Sequence, residues 1–172
     1  MTKKADNHPL LGKKAPAFTL ESSDRKKVQL SNFKEGLVVL YFYPKNNTPG
    51  CTLEAQEFRD LHDAFTKLNV TVLGVSPDSP SSDCRFSEKL SLNFLLLSDR
   101  DHAIAEKYGV WVEKSMCGKK YMGVERTTFL IDGSGKIIHV WGKVTAKGHA
   151  LAVLDLIKNR AYEGSEGAHS GA

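Results

Sequence analysis

The sequence predicts a single α/β domain, and three observations lead to this fold class. The chain has 172 residues, which suits one domain, or two at most, and is long enough to bury a core without disulfide bonds. The continuous apolar run Leu37–Phe42 is typical of a strand that is buried on both faces of a sheet, and Val70–Val75 is a second buried strand. Segments with helical periodicity separate these strands, and this alternation is the pattern of an α/β domain.

The first half of the chain predicts three strands and a helix. Ala17–Leu20 and Lys27–Leu30 are short strand candidates, and Leu37–Phe42 is the first central strand. A loop rich in proline, asparagine and glycine, Pro44–Gly50, follows that strand. A helix is predicted from about Cys51, because four apolar residues step by three, four and three positions along one helix face. These residues are Phe58, Leu61, Phe65 and Leu68.

The middle of the chain continues the alternation of strands and helices. Val70–Val75 is a buried strand, and the next helix begins with Ser79 as the capping residue and Pro80 at the first helical position. A strand at Phe94–Leu97 and a short helix at Ala103–Tyr108 follow. From Leu37–Phe42 to Phe94–Leu97, each predicted strand is therefore separated from the next by a helix.

The last part of the chain predicts a β-hairpin and a closing helix. Thr127–Ile131 and Lys136–Trp141 flank a glycine-rich turn, which is the signal of a hairpin. Lys147–Asn159 is the closing helix of a domain that we expect to cover residues 1–160. The remaining segment, 161–172, is small, polar and rich in glycine, so it predicts a disordered tail.

Composition and charge exclude several classes of protein. The net charge is +4 and the basic residues are spread along the chain, so no nucleic-acid groove is expected. No apolar run approaches the roughly 20 residues that span a bilayer, and Met1–Lys14 lacks the apolar stretch of a secretory signal. The three cysteines are too few for a secreted disulfide scaffold, which favours a reducing compartment, and we expect the cytoplasm.

Cys51 is the first candidate for chemistry, because it follows a central strand and a loop and opens a helix. A helix N-terminus carries unpaired N–H groups and about half a positive charge, which favours the nucleophilic thiolate. The alternative is a small buried hydrophobic residue at a helix start. The position of Cys51 before the apolar stripe, at the carboxyl end of a strand, favours the nucleophile.

A long segment around this cysteine carries a resemblance to a known family. Tyr41–Glu54 contains the pattern P-x-x-x-T-P-G-C and resembles the active-site segment of peroxiredoxins, specifically the peroxiredoxin Q or bacterioferritin comigratory protein branch. Further similarity lies in Gly74–Ser76, Leu96–Asp99 and Gly123–Asp132, and the resemblance covers about residues 10–160. It implies a thioredoxin-like fold in which a central mixed sheet carries helices on both faces.

The resemblance also implies roles for five residues. The family cysteine that matches Cys51 attacks the peroxide O–O bond and becomes a sulfenic acid. The residue matching Thr48 hydrogen-bonds the peroxide, and the one matching Pro44 shields the sulfur from water. The residue matching Arg126 stabilises the thiolate and aligns the oxygens, and Glu54 is expected beside it, with an exposed helix glutamate as the alternative.

The resemblance implies that no metal or organic cofactor is needed, because sulfur carries the redox change. The sequence itself has no zinc spacing of cysteines and histidines. The six histidines show no ligand pattern, and surface or capping positions are expected for them.

The sequence departs from the family pattern at the cysteine that resolves the sulfenic acid. Many members carry it five residues after the attacking cysteine, where this chain has Gln56. Cys84 lies early in the helix that Ser79 opens, about 200° around the helix from Phe86 on its inner face, so its thiol should point away from the core. This layout resembles a subset of the family that carries the resolving cysteine in this second helix. We therefore expect Cys84 to be the resolving cysteine, in a pair whose closure requires local unwinding near Cys51.

Cys117 is the second candidate for resolution, and we expect it to be an incidental thiol. It lies in Trp111–Gly123, a polar, lysine-rich segment that is predicted to be a loop.

The resemblance thus implies a thiol peroxidase for hydrogen peroxide and organic hydroperoxides. Cys51 attacks, Cys84 resolves, a thioredoxin-type protein reduces the disulfide, and the chain is expected to be a monomer. The alternatives are a one-cysteine peroxidase that an external thiol recycles, and a non-enzymatic redox-sensing or chaperone-like protein of the same fold. A dithiol–disulfide oxidoreductase is disfavoured because Cys51 lacks a Cys-x-x-Cys partner.

Overall fold

The structure of the protein, a computed structural model, describes residues 8–170, with side chains up to 161. The strands within this part of the chain are β1 (Thr19–Ser22), β2 (Lys27–Gln29), β3 (Leu37–Phe42), β4 (Val70–Ser76), β5 (Leu95–Ser98), β6 (Trp111–Met116), β7 (Lys119–Val124), β8 (Thr127–Ile131) and β9 (Ile137–Trp141). The helices are α1 (Pro49–Asp60), α2 (His62–Lys67), α3 (Pro80–Leu90), α4 (Ala103–Lys107) and α5 (His149–Ser170).

Seven of these strands form one mixed sheet in the order β2-β1-β5-β4-β3-β8-β9. The central pairs β3–β4 and β4–β5 are parallel, and the other pairs are antiparallel. These parallel strands coincide with the predicted strands at the centre of the sheet, since strands covered on both faces are rich in apolar residues. The predicted mixed sheet is therefore confirmed.

Two hydrophobic cores lie on opposite faces of this sheet. Residues of β3 alternate between them: Val39 and Tyr41 belong to the core under α1, α2, α3 and α5, whereas Val38 and Leu40 belong to the core under α4 and the N-terminal segment. This alternation follows from the two-residue period of a strand. Helices thus cover both faces of the sheet, as predicted.

The helix predicted from Cys51 is interrupted at Leu61. The residue leaves the helical backbone, with φ −99° and ψ 5°, and joins α1 to α2. Phe58 and Phe65 of the predicted stripe are nevertheless fully buried, and Leu61 and Leu68 pack against the same core. The break divides the predicted helix into α1 and α2 and leaves the buried face intact.

The prediction of a loop over Trp111–Gly123 is wrong. The segment forms the antiparallel pair β6–β7, which is joined by Cys117 and Gly118, both with positive φ (51° and 79°). A two-residue turn of this kind matches the twist of a hairpin. The strands were not recognisable because lysines and exposed residues on both faces remove the alternation of apolar and polar residues.

Helix α5 begins slightly later than predicted and extends beyond Asn159. Residues 171–172 of the tail predicted over 161–172 lie outside the described residues. The tail and the domain boundary at 160 therefore stay predictions. Within the described part of the chain, none of the helices has the length and apolarity that crossing a membrane requires.

Candidate active site

Cys51 lies in the first turn of α1, at the carboxyl end of β3. Pro49 occupies the first turn, and Thr48 before it has extended backbone (φ −95°, ψ 156°). The N–H of Thr52 donates to the carbonyl of Thr48 at 2.9 Å and closes this turn. Cys51 is only 2% exposed, so its sulfur lies under the surface at the positive end of a helix.

Arg126 joins the thiol of Cys51 to the carboxyl group of Glu54. Its Nη2 donates to Cys51 Sγ at 3.2 Å, and its Nη1 donates to Glu54 Oε1 at 2.5 Å. Arg126 directly precedes β8, and the pairing of Thr127 with Phe42 places it opposite the end of β3. The structure therefore brings Cys51, Arg126 and Glu54 together, as the resemblance implies.

The backbone leaves room for this arginine. A Cβ atom at Gly50 would lie 3.2 Å from Arg126 Nη2, which is closer than side chains usually approach. The carbonyl of Arg126 accepts a hydrogen bond from the N–H of Val144 at 2.9 Å, which fixes its backbone. The backbone of Arg126 and its guanidinium group are thus both held by hydrogen bonds within the protein.

The electrostatics of the site are set by burial. Glu54 is fully buried, which raises its pKa to about 7, although the charge and hydrogen bond of Arg126 act in the opposite direction. The second oxygen of Glu54, Oε2, has no hydrogen-bond partner among the described residues. Arg126 is therefore the group that makes a buried carboxylate tolerable here, while its other nitrogen faces the sulfur.

Thr48 and Pro44 lie on the loop that leads into Cys51, and both are half-buried. Thr48 does not cap α1 through its side chain; its hydroxyl donates to the carbonyl of Lys45 at 3.1 Å. Pro44 directly follows Tyr43, whose N–H is held by the carbonyl of Val75 at 3.0 Å. The two residues thus lie on one short, anchored loop.

Tyr41 and Gly74 pack together beside this site. The ring of Tyr41 stacks on Phe58 with centroids 4.7 Å apart, and its hydroxyl is buried with no hydrogen-bond partner among the described residues. Burial, with the charges of Glu54 and Cys51, raises the pKa of Tyr41 well above its ordinary value. A Cβ atom on Gly74 would lie 2.8 Å from Tyr41 Cζ, so Gly74 makes room for this ring.

The expectation that the histidines lie at the surface or cap helices is wrong for His149. This residue is 2% exposed, and its Nε2 lies 2.7 Å from the hydroxyl of Thr128. Burial lowers its pKa to about 4, and the charge of Arg126 acts in the same direction. A histidine at the start of a helix carries no sequence signal that separates an exposed position from a buried one.

The other two cysteines lie apart from this cluster. Cys84 is half-buried on α3, with its Sγ 3.8 Å from Glu88 Oε1, and it faces away from the buried Phe86 and Leu90, as predicted. Cys117 is exposed in the hairpin turn, and all three thiols are free. Among the described residues, no three histidine, cysteine or acidic side chains are placed to hold a metal ion.

Comparison with known proteins gives the family. The sequence model of the AhpC/TSA family matches residues 11–140. Peroxiredoxin Bcp of Bacillus subtilis is 48% identical over 149 residues, which is 87% of this chain and 95% of that protein. The chain is a peroxiredoxin of the AhpC/TSA family. Peroxiredoxin Bcp of Escherichia coli K12 gives the same picture, at 48% identity over 147 residues, 86% of this chain and 94% of that one.

Solved structures support the same assignment. The bacterioferritin comigratory protein of Xanthomonas campestris superposes with a TM-score of 0.80 at 40% identity and covers 84% of this peroxiredoxin and 92% of itself. A mutant of Xylella fastidiosa PrxQ superposes with a TM-score of 0.81 at 39% identity, over 94% and 98% of the two chains. The predicted thioredoxin-like fold and the predicted branch are confirmed. This peroxiredoxin is thus a peroxidase, an oxidoreductase that uses a peroxide and a thiol reductant.

Proposed function

We propose that Cys51 is the peroxidatic cysteine and that it reduces hydrogen peroxide and organic hydroperoxides. The thiolate sulfur attacks one peroxide oxygen, the O–O bond breaks, and the other oxygen leaves as water or an alcohol after it takes up a proton. The sulfur is oxidised by two electrons to a sulfenic acid. The observation that carries this proposal is the hydrogen bond of 3.2 Å between Arg126 Nη2 and Cys51 Sγ at the start of α1.

The surrounding residues have complementary roles in this step. Arg126 stabilises the thiolate and then the negative charge on the peroxide oxygens, since its charge is permanent and its donors are fixed in position. Glu54 positions Arg126 through the buried ion pair. Thr48 turns its hydroxyl from the carbonyl of Lys45 to the peroxide, and Pro44 shields the sulfur from water.

Cys84 completes the cycle in this proposal. Its thiol attacks the sulfenic sulfur of Cys51, an S–S bond forms, the S–O bond breaks, and the oxygen leaves as water. A thioredoxin-type dithiol protein then reduces the disulfide by thiol exchange. The half-buried position of Cys84 on a helix beside the active-site loop supports this role. Because Cys51 is only 2% exposed, its sulfur must leave its pocket before the disulfide can form.

Peptide mapping tests the proposal directly. Reduced protein receives one equivalent of hydrogen peroxide and is alkylated and digested without reductant, so that mass spectrometry reports every cysteine. A crosslink between Cys51 and Cys84 is expected; the Cys117→Ser variant should form it equally well. Cys51 as a sulfenic or sulfinic acid beside a free Cys84 would assign the enzyme to the one-cysteine class. An unmodified Cys51 would overturn the proposal.

We further propose a monomer that works in the cytoplasm, where a thiol reductant is maintained. Sedimentation of the reduced and oxidised protein tests the first statement. Dependence of turnover on thioredoxin and its reductase, compared with glutathione, tests the choice of reductant.

A further inference from the structure

A buried amide lies in the middle of the loop that precedes Cys51. Asn46 is 6% exposed, and both ends of its side chain are engaged. The hydroxyl of Tyr43 donates to Asn46 Oδ1 at 2.6 Å, and Asn46 Nδ2 donates to Asp83 Oδ1 at 2.7 Å and to Ser82 Oγ at 3.1 Å. The N–H of Asn46 also donates to Asp78 Oδ2 at 2.8 Å. The loop is thus attached to the start of α3 by its most buried polar side chain.

The acceptor on the other side is Asp83, which directly precedes Cys84 in α3. Asp83 is fully buried, and its Oδ2 has no hydrogen-bond partner among the described residues. Burial raises the pKa of Asp83 to about 7, against the effect of the hydrogen bond from Asn46. A buried carboxyl group with a single side-chain donor depends on that donor, since its loss would leave both oxygens unpaired.

We propose that Asn46 and Asp83 form a latch that holds the loop of Cys51 against the helix of Cys84 and sets the rate of disulfide formation between the two cysteines. The inference rests on the proposed function, because it assigns a control point to the step in which Cys84 attacks the sulfenic acid. Both residues are positioning residues; neither needs to touch the peroxide.

The placement of the latch makes it a barrier to that step. Cys51 is 2% exposed in the first turn of α1, so its sulfur cannot meet Cys84 without displacement of the loop or of the start of α3. Either displacement separates Asn46 from Asp83. While the latch is closed, the sulfenic acid stays beside Arg126; when it opens, Cys84 gains access.

The same two elements share a second contact that provides a matched control. Lys89 Nζ on α3 donates to Asn47 Oδ1 on the loop at 2.7 Å, and this pair is exposed. Exposed polar pairs contribute little, because water replaces the lost partner. The buried pair should therefore dominate the attachment of the loop.

Asn46→Ala is the variant that loosens the latch. It leaves the carboxyl of Asp83 and the hydroxyl of Tyr43 buried without this partner, so the closed arrangement is disfavoured. Hydrogen exchange of the reduced protein should show about tenfold faster exchange at residues 45–52 and at the start of α3. Rapid-quench mapping should show disulfide formation accelerated by a similar factor, with the preceding oxidation of Cys51 changed less than twofold. Lys89→Ala should leave both rates within about twofold of the wild type.

The double variant Asn46→Ala/Asp83→Ala distinguishes a latch from general loosening. Removal of the orphaned carboxyl should return exchange and disulfide formation towards the wild-type rates, whereas general loosening would make the double variant faster still. Tyr43→Phe, which removes only one hydrogen bond to Asn46, should act in the same direction as Asn46→Ala and keeps the test available if that variant unfolds. Unchanged exchange in Asn46→Ala, or equal acceleration by Lys89→Ala, would overturn the latch. If Cys84 is not the resolving cysteine, the crosslink between Cys51 and Cys84 will be absent from the oxidised wild-type protein, so the two proposals can fail separately.

Discussion

Replacing Arg126 by methionine should destabilise this peroxiredoxin in a way that depends on pH. The substitution keeps an unbranched side chain of similar length and removes both hydrogen bonds of the guanidinium, at 2.5 Å to Glu54 Oε1 and at 3.2 Å to Cys51 Sγ. Glu54 then has no positive partner for a carboxylate that is fully buried. The cost should therefore follow the ionisation of Glu54.

The magnitude can be worked from the pKa of Glu54. Burial raises it from 4.5 to about 7 in the folded protein, which corresponds to about 3 kcal/mol. The folded protein holds this proton more tightly than the unfolded chain does. The stability that results is fully present below about pH 4.5 and is lost as the pH rises through about 7. Without Arg126, the buried carboxylate of Glu54 destabilises the folded protein further. The substitution should therefore lower the free energy of unfolding by about 3–5 kcal/mol at pH 8, but by only about 1 kcal/mol at pH 5, where Glu54 is protonated.

Urea unfolding of the reduced protein at pH 5 and pH 8 measures this difference. Arg126→Met should lose little at pH 5 and several kcal/mol at pH 8, and the added change Glu54→Gln should restore most of the loss at pH 8. Peroxidase kcat/KM should fall by about 10²–10³ in both variants, because neither has the donor to sulfur and peroxide. Lys120→Met, which breaks the exposed pair with Glu113, serves as the control with no such dependence. Equal losses at the two pH values would refute the reasoning.

Three further predictions concern residues around the same cluster. Thr48→Val should lower kcat/KM by about 10–100-fold, because it removes a donor to the peroxide. It should change unfolding by less than about 1 kcal/mol, because the other hydrogen bond of that hydroxyl, to the carbonyl of Lys45, is exposed to water. Thr48→Ser should restore activity, and low activity of the serine variant would contradict that role. Gly74→Ala should lower the free energy of unfolding in urea by about 1–3 kcal/mol, because its Cβ would lie 2.8 Å from Tyr41 Cζ. The double variant Gly74→Ala/Tyr41→Phe should not recover the full stability, because the Cβ still clashes with the aromatic ring. Burial lowers the pKa of His149 to about 4, so stability is lost as the pH falls from about 6.5 through 4. His149→Gln, which can still bond Thr128, should flatten that part of the pH profile, and an unchanged slope would place the effect elsewhere.

The sequence predicts the framework well where one pattern dominates. Leu37–Phe42 is apolar at every position, and its short length with β-branched and aromatic residues is typical of a strand covered on both faces. The turn and cap residues from Pro44 to Pro49 then fix where the next helix can begin. The site inherits its position from these two signals, which is why Cys51 could be placed before any contact was known.

The parts that escaped prediction depend on contacts between distant segments. Arg126 is expected beside Cys51 only through the family resemblance, because a residue on a hairpin gives no local sign of the pairing of β8 with β3 that brings it there. Asn46 lies among turn-forming residues, and the composition of this segment suggests an exposed loop. The burial of Asn46 follows only from the packing of α3 against the loop. The strands β6 and β7 lack apolar alternation because they project from the main sheet and bury little.

The three thiols differ in accessibility, so each admits reagents up to a different size. Cys51 is buried, Cys84 is half-buried and Cys117 is exposed in a turn. A bulky maleimide should therefore modify Cys117 first and Cys51 last. Hydrogen peroxide is much smaller than a maleimide and should reach the buried sulfur of Cys51. The protein thus offers Cys117 as a ready attachment point for a fluorophore, on a hairpin outside the main sheet, without blocking the buried sulfur.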